Sequence, residues 1–112
     1  MEVWKASIQL IKIVYRITKP FPKEEKQGLI AQIGRSSISI SANISERNSS
    51  YPGKDHANFT TMAYSSLMET LNLMITSLEL NYIGTNCYEK FRFELNKIAK
   101  KLTALRKSQL SK

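Results

Sequence analysis

The sequence is poor in the residues that build metal and redox centres. It has one cysteine, Cys87, and one histidine, His56, among 112 residues. A single cysteine cannot form an internal disulfide, and one histidine excludes both two-histidine metal sites and the paired Glu-x-x-His motifs of di-iron bundles. We therefore interpret Cys87 as a small, half-buried hydrophobic side chain and His56 as a surface residue, and we expect neither a metal nor a cofactor.

Catalytic and phosphate-binding loops are also missing. The chain has four glycines, and they form neither a Gly-x-Ser-x-Gly elbow nor a glycine-rich phosphate loop. Glu46 and Glu69 are the carboxylates nearest to the apolar rows, and two carboxylates can carry acid–base chemistry. Polar groups that are satisfied at a helix contact are the simpler interpretation of both. We expect a protein without enzymatic activity.

Long apolar runs are absent. No segment approaches the roughly 20 apolar residues that a membrane-spanning helix needs. The first residues also lack the apolar run and small-residue cleavage site of a secretion signal. We therefore expect a cytoplasmic protein with no membrane contact. Its length and its apolar fraction of 42% suit one globular domain over residues 1–112.

The three prolines and two of the four glycines, Gly53 and Gly84, fall between four segments of helical periodicity. Pro20 and Pro22 end the first segment, Gly53 ends a polar loop, and Gly84 separates the last two. Apolar residues recur between them at spacings of three and four. The pattern predicts helices at about residues 3–18, 23–46, 54–81 and 85–108. Short connections favour antiparallel neighbours, so we predict an all-α, up-down-up-down four-helix bundle.

Two of these segments have especially informative apolar rows. The fourth carries a single narrow row of coiled-coil type. Its members are Phe91, Leu95, Ile98, Leu102 and Leu105. The first carries two parallel rows, which together give a broad apolar face. One consists of Trp4, Ile8, Ile11 and Tyr15, and the other of Leu10, Val14 and Ile17.

Acidic residues are in short supply, and the resulting charge is uneven. There are 9 of them against 17 lysines and arginines, a net charge of +8. Residues 53–84 have one basic and three acidic side chains and a broad apolar surface, which predicts contact with other copies of the chain. Residues 85–112 have eight basic and two acidic side chains. At about 100° per residue, five lysines lie opposite the apolar row of the fourth helix. They are Lys90, Lys97, Lys100, Lys101 and Lys107.

This basic face has three interpretations. It can be a solvated surface that keeps the protein soluble, or a surface that binds an acidic protein partner. It can also bind RNA or DNA through phosphates, with little reading of bases, because lysine acts as a point charge. Nucleic-acid binding is our leading hypothesis, with Arg35 and Arg47 as secondary contacts. The main alternative is an adaptor for a nucleic-acid enzyme such as a reverse transcriptase.

Motifs along the chain also carry a family resemblance. The second segment contributes Phe21-Pro22, Gly28-Leu29, Gln32-Ile33, Arg35 to Ile40, Ala42-Asn43-Ile44 and Glu46. Further matches are Val3-Trp4, Tyr15, Phe59, Ala63, Ser66-Leu67, Glu69 and Tyr82-Ile83. In these residues the chain resembles the bacterial four-helix bundle proteins encoded in intervening sequences of 23S ribosomal RNA. That family is related to the accessory bundle protein of diversity-generating retroelements.

The resemblance implies an antiparallel four-helix bundle that assembles into a pentameric ring. It also implies a positively charged surface or pore suited to nucleic acid, and no established enzymatic activity. Asn43, Glu46 and Glu69 match polar positions of the family, as does Arg35. We expect these residues to form a structural polar network between the second and third helices or between subunits.

The chain departs from the family pattern at three places. Gly34 stands where the family has the first arginine of an Arg-Arg pair, and Ser41 stands where it has proline. Arg47 replaces the glycine after Glu46. Losing one arginine weakens the case for binding by that pair, whereas Arg47 restores a positive charge nearby.

Overall fold

A computed structural model describes residues 2–46 and 53–111 of the protein. Over these ranges the chain is all-α, with four α-helices, one short 3₁₀ helix and no strand. The α-helices are α1 (Glu2–Thr18), α2 (Leu29–Glu46), α3 (Gly53–Glu79) and α4 (Thr85–Leu110), and the 3₁₀ helix is Lys23–Glu25. None of these helices is both long and apolar enough to cross a membrane.

The second α-helix begins later than the sequence pattern suggested. We expected a helix from residue 23, but Lys23–Glu25 is a 3₁₀ helix and α2 begins at Leu29. The amide of Gly28 bonds the carbonyl oxygen of Glu25, three residues earlier, at 3.1 Å. The Glu25 carboxylate then accepts a bond from the Leu29 amide at 3.4 Å, which satisfies one free donor at the start of α2.

The end of α3 is set by an asparagine rather than by a glycine. Asn81 has a φ of 62°, the left-handed conformation that commonly ends a helix. The Asn81 amide bonds the oxygen of Leu78 at 3.0 Å, and the Tyr82 amide bonds that of Ser77 at 2.9 Å. This pair of bonds is a Schellman motif. Gly84 instead precedes α4 with a φ of −90°, which any residue can adopt.

Each α-helix packs against its neighbours in the chain, and α4 returns to pack against α1. Across α2 and α3, Ser36 pairs with Thr70 and Ser39 pairs with Ser66, both with 2.8 Å between hydroxyl oxygens. The residue number of the partner in α3 falls as the residue number in α2 rises, so these two helices are antiparallel. Within the described ranges no Cα atoms of the diagonal pairs, α1 with α3 and α2 with α4, lie within 8 Å of each other.

The core draws on all four helices. Its most deeply buried apolar side chains are at most 1% exposed, and each of them larger than alanine stabilises the fold by about 1.5–3 kcal/mol. They are Leu10, Val14, Ile33, Ile40, Ile44, Ala63, Leu67, Met74, Phe91, Leu95, Ile98 and Leu102. The row of α4 is therefore buried as predicted, with Leu105 half-buried at its end. In α1 the buried row contains Leu10 and Val14, while Trp4 and Tyr15 of the other row are 38% and 52% exposed.

The two connections at one end of the bundle are joined by Tyr82. Its ring lies 5.2 Å from that of Phe21, centroid to centroid. Its hydroxyl donates to the Glu25 carboxylate at 2.8 Å. This hydrogen bond, with burial and the charges of Glu25 and Glu24, raises the pKa of Tyr82. The segment between α1 and α2 is thus tied to the segment between α3 and α4.

Candidate nucleic-acid interface

The positive charge of the protein is concentrated in its first and last segments. Residues 1–20 carry four basic and one acidic side chains, and residues 85–112 carry eight and two, a combined net charge of +9. Residues 21–84 carry five basic and six acidic side chains, a net charge of −1. Because α1 and α4 pack against each other, the described helices of these two basic segments lie side by side.

The five lysines predicted from the sequence are all exposed on α4. Three of them, Lys90, Lys97 and Lys101, are spaced by seven and four residues and so lie in one row along the helix. Lys90 lines a hollow between α4 and α1. Lys101 reaches toward α1, where its Nζ lies 3.9 Å from the Glu2 carboxylate. We call these three residues the α1-side lysine row.

The α1-side lysine row forms only weak ion pairs with nearby carboxylates. Lys97 Nζ lies 3.1 Å from the Glu94 carboxylate and 4.9 Å from the centroid of the Phe93 ring. Both side chains of the ion pair remain substantially solvent-accessible, at 51% and 36%. Exposed ion pairs contribute about 0–1 kcal/mol, so a phosphate can replace Glu94 at little cost.

Lys100 and Lys107 form a separate group on the flank of α4 that faces α3. They line an open hollow of about 380 Å³ together with Tyr64 of α3. We call this hollow the Tyr64 groove. Its lining residues are Tyr64, Ala99, Lys100, Thr103, Ala104 and Lys107. The five lysines predicted as one face therefore belong to two adjoining surfaces.

A second hollow, of about 540 Å³, continues the Tyr64 groove toward the end of α4. It shares Tyr64 and Lys107 with the groove and adds Arg106. Arg106 Nε donates to the Thr61 hydroxyl at 2.6 Å, which holds the guanidinium between α3 and α4. No acidic side chain is among the described residues that line either hollow.

The sequence-based site omitted the basic residues of α1. Lys12, Arg16 and Lys19 are exposed and line a hollow of about 560 Å³ together with Tyr15. The sequence already showed four basic residues among the first 20. Their relation to the α4 lysines became clear only because the structure places α1 beside α4. These residues extend the basic side of the protein away from the α4 lysines.

The two arginines proposed as secondary contacts do not join the lysines. Arg35 is exposed on α2, where it lines a polar hollow of about 410 Å³ with Ser39 and Glu69. That hollow lies between α2 and α3, whereas three of the lysines line hollows between α4 and α1 or α3, so Arg35 does not lie with them. Arg47 lies outside the described residues.

The predicted polar network has one well-defined part. Asn43 Nδ2 donates to the carbonyl and hydroxyl oxygens of Ser39 at 2.9 and 3.2 Å. The Ser39 hydroxyl pairs in turn with Ser66, so Asn43 belongs to a network that crosses from α2 to α3. Glu69 lines the polar hollow beside this network, whereas Glu46 is exposed at the end of α2.

An apolar hollow between α1 and α4 was not anticipated from the sequence. It measures about 570 Å³ and is lined by Ile13, Ile17 and the half-buried Cys87. Phe93 borders it and is 64% exposed. Phe93 lies outside the buried row of α4, so periodicity alone gave no signal for it. Among the described residues, no three histidine, cysteine or acidic side chains come together in a way that could hold a metal ion.

Comparison with known protein families confirms the family resemblance. No curated protein matches the chain. The family model described as 23S rRNA-intervening sequence protein matches residues 1–104. That match spans nearly the whole chain, including all of α1, α2 and α3 and most of α4. The chain therefore belongs to the 23S rRNA-intervening sequence protein family.

Proposed function

We propose that the protein is a non-catalytic, oligomeric bundle of the cytoplasm that binds RNA or DNA mainly through backbone phosphates. The observation that supports the proposal is the packing of α1 against α4, which brings the two basic segments side by side. The five lysines from Lys90 to Lys107 extend over about 25 Å of helix, given a rise of about 1.5 Å per residue. A polyanion lying along α4 would contact them in succession.

The chemistry of these side chains supports backbone contact rather than base reading. Lysine ammonium groups attract phosphate without the two-pronged geometry by which arginine recognises guanine. Binding of this kind releases counterions from the nucleic acid, so its affinity falls steeply as salt rises and changes little with sequence.

Self-association is the second part of the proposal. The α2/α3 side is nearly neutral, and Ile38 of α2 and Met62 of α3 are 47% and 50% exposed there. Each interface of a ring joins two different patches, and these two apolar residues would supply one patch each. We propose a homo-oligomer, a pentamer by family resemblance, that buries this side and leaves α1 and α4 free.

One observation favours a second candidate function, an adaptor for a nucleic-acid enzyme such as a reverse transcriptase. Phe93 is the most exposed large apolar side chain among the described residues, and it borders the hollow between α1 and α4. That hollow is also lined by two basic and two acidic side chains, Arg16, Lys90, Glu89 and Glu94. An aromatic anchor within a polar rim is typical of a protein interface.

The test compares two variants with the same change in net charge. Lys90→Glu with Lys101→Glu alters the α1-side lysine row, and Lys23→Glu with Lys26→Glu alters exposed lysines before α2. We measure binding of a labelled 20-nucleotide strand by fluorescence anisotropy from low to physiological salt. The first variant should lose at least about tenfold in affinity and reduce the salt slope by about two. The second should change both much less.

Two outcomes would overturn the proposal. Equal losses in both variants would mean that the overall charge, rather than the α1/α4 side, attracts the nucleic acid. Binding that does not change with salt would exclude the phosphate mechanism. To separate the adaptor function, proteins that co-purify with the chain are examined after nuclease treatment. Partners that remain and that disappear in Phe93→Ala would support the adaptor.

A further inference from the structure

Tyr64 occupies an unusual position for an aromatic residue of a bundle. It lies on α3 beside α4, yet it is 37% exposed. The residues that α4 presents to it are small, namely Ala99, Thr103 and Ala104. Because these side chains do not cover the ring, an open hollow of about 380 Å³ remains beside it. That volume lies within the roughly 300–1,000 Å³ typical of sites for small ligands.

The charges around Tyr64 are of one sign. Lys100 and Lys107 line the same hollow, two turns apart on α4, and Arg106 lines the hollow that continues it. No carboxylate lines either hollow within the described ranges. An aromatic ring between cationic side chains suits a ligand that carries both a flat ring and phosphates.

The other two exposed aromatic side chains that border hollows are less suited to such a ligand. Phe93 lies in a hollow that also contains Glu89 and Glu94, whose charges repel phosphate. Tyr15 has basic neighbours, but its hydroxyl lies across α2, 3.3 Å from where a Cβ of Gly34 would be. The Tyr15 ring therefore already has one edge against α2.

We infer that the Tyr64 groove takes one base of a single-stranded RNA or DNA, stacked on Tyr64, while the adjacent phosphates contact Lys100 and Lys107. The inference rests on the proposed nucleic-acid binding and specifies the form of the strand. In a duplex both faces of each base are covered by neighbouring pairs, so only an unpaired base can stack on a protein ring. Stacking tolerates any base, in keeping with binding that shows little sequence preference.

The test uses four variants of aromatic residues, one double lysine variant and two strand forms. Tyr64→Ala and Tyr64→Leu remove the ring, and leucine retains apolar contact between α3 and α4. Tyr64→Phe keeps the ring. Tyr15→Ala is the control, because it removes the other exposed tyrosine that has basic neighbours. Each protein is titrated with a mixed-sequence 20-nucleotide single strand, as RNA and as DNA, and with the corresponding duplex. Circular dichroism and thermal unfolding identify any variant that fails to fold.

We expect Tyr64→Ala and Tyr64→Leu to weaken single-strand binding by roughly tenfold. Tyr64→Phe and Tyr15→Ala should stay within about twofold of the native protein, and duplex binding should change little in all four variants. The salt slope should also stay the same in Tyr64→Leu, because stacking involves no ion. Lys100→Gln with Lys107→Gln should instead lower the slope by about two.

The outcomes separate this inference from the proposed function. If the native protein binds neither strand form, both fail. If it binds single strands and Tyr64→Leu binds them equally well, only the stacking site is wrong. If Tyr15→Ala weakens single-strand binding and Tyr64→Leu does not, the base stacks in the hollow between α1 and α2. That result would also contradict the assignment to Tyr64. Preferential loss of duplex binding in Tyr64→Leu would contradict it too.

Discussion

Tyr15 lies across Gly34, with its hydroxyl oxygen 3.3 Å from the position that a Cβ of residue 34 would occupy. The contact joins α1 to α2 at the place where the family pattern has an arginine. A glycine there lets the tyrosine ring lie close to the α2 backbone. The departure from the family pattern is therefore matched by a packing contact in this chain.

Gly34→Ala should raise stability slightly. Alanine in a helix interior is about 0.5–1 kcal/mol more favourable than glycine. The new methyl group meets only the flexible end of Tyr15, which is 52% exposed and can shift by a few tenths of an ångström. Urea unfolding of Gly34→Ala and of Gly34→Ala with Tyr15→Ala would measure the effect. If the single variant is destabilised and the double variant is not, Tyr15 is fixed in place and the prediction is wrong.

Tyr82→Phe should lower stability at neutral pH because it removes the hydrogen bond to Glu25. The pKa of Tyr82 is raised in the folded protein, so the unfolded chain loses this proton first as the pH rises past the ordinary value of about 10. The stabilisation is present below that pH and is lost as the pH rises through the folded pKa.

Thermal unfolding at neutral and alkaline pH checks this expectation. The melting temperature of the native protein should exceed that of Tyr82→Phe at pH 7, and the difference should shrink above about pH 10. The phenylalanine variant serves as the control for every other effect of alkaline pH on stability. If the difference in melting temperature stays constant from pH 7 to alkaline pH, the hydrogen bond makes no pH-dependent contribution and the prediction is wrong.

Ser36 should tolerate alanine better than leucine. Its side chain is 4% exposed between α2 and α3, and its hydroxyl pairs with Thr70. Thr70 keeps a second bond, to the Ser66 carbonyl oxygen at 2.9 Å, so Ser36→Ala should cost only about 0.5–1.5 kcal/mol. Leucine must instead push the helices apart, typically at about 1–3 kcal/mol or more. Equal free energies of unfolding for the two variants would contradict close packing here.

Self-association should depend on the α2/α3 side. Light scattering of the native protein should give a mass several times 12.8 kDa. Ile38→Lys with Met62→Lys should lower that mass toward the monomer, because two charges would be buried at the interface. Leu110→Lys, at a residue 53% exposed near the end of α4, is the matched control and should leave the mass unchanged. A native monomer at micromolar concentration would refute the oligomer.

Helix positions followed from the sequence wherever one face was clearly apolar. The row from Phe91 to Leu102 has a single possible inner face, and it is buried as predicted. In α1 the two rows are equally apolar, and the choice of Leu10 and Val14 over Trp4 and Tyr15 depends on where α2 and α4 lie. The start of α2 was misplaced because Pro22 followed by acidic residues suits a 3₁₀ turn as well as an α-helix.

The sequence by itself determined the four helices and the excess of positive charge, because periodicity and charge are properties of each segment alone. Only the tertiary structure decided that α1 lies beside α4, that the α4 lysines divide between two flanks, and that Tyr64 faces an open hollow. Those relationships depend on which side of each helix its neighbours cover. That choice is made by the packing of all four helices together, so no single segment encodes it.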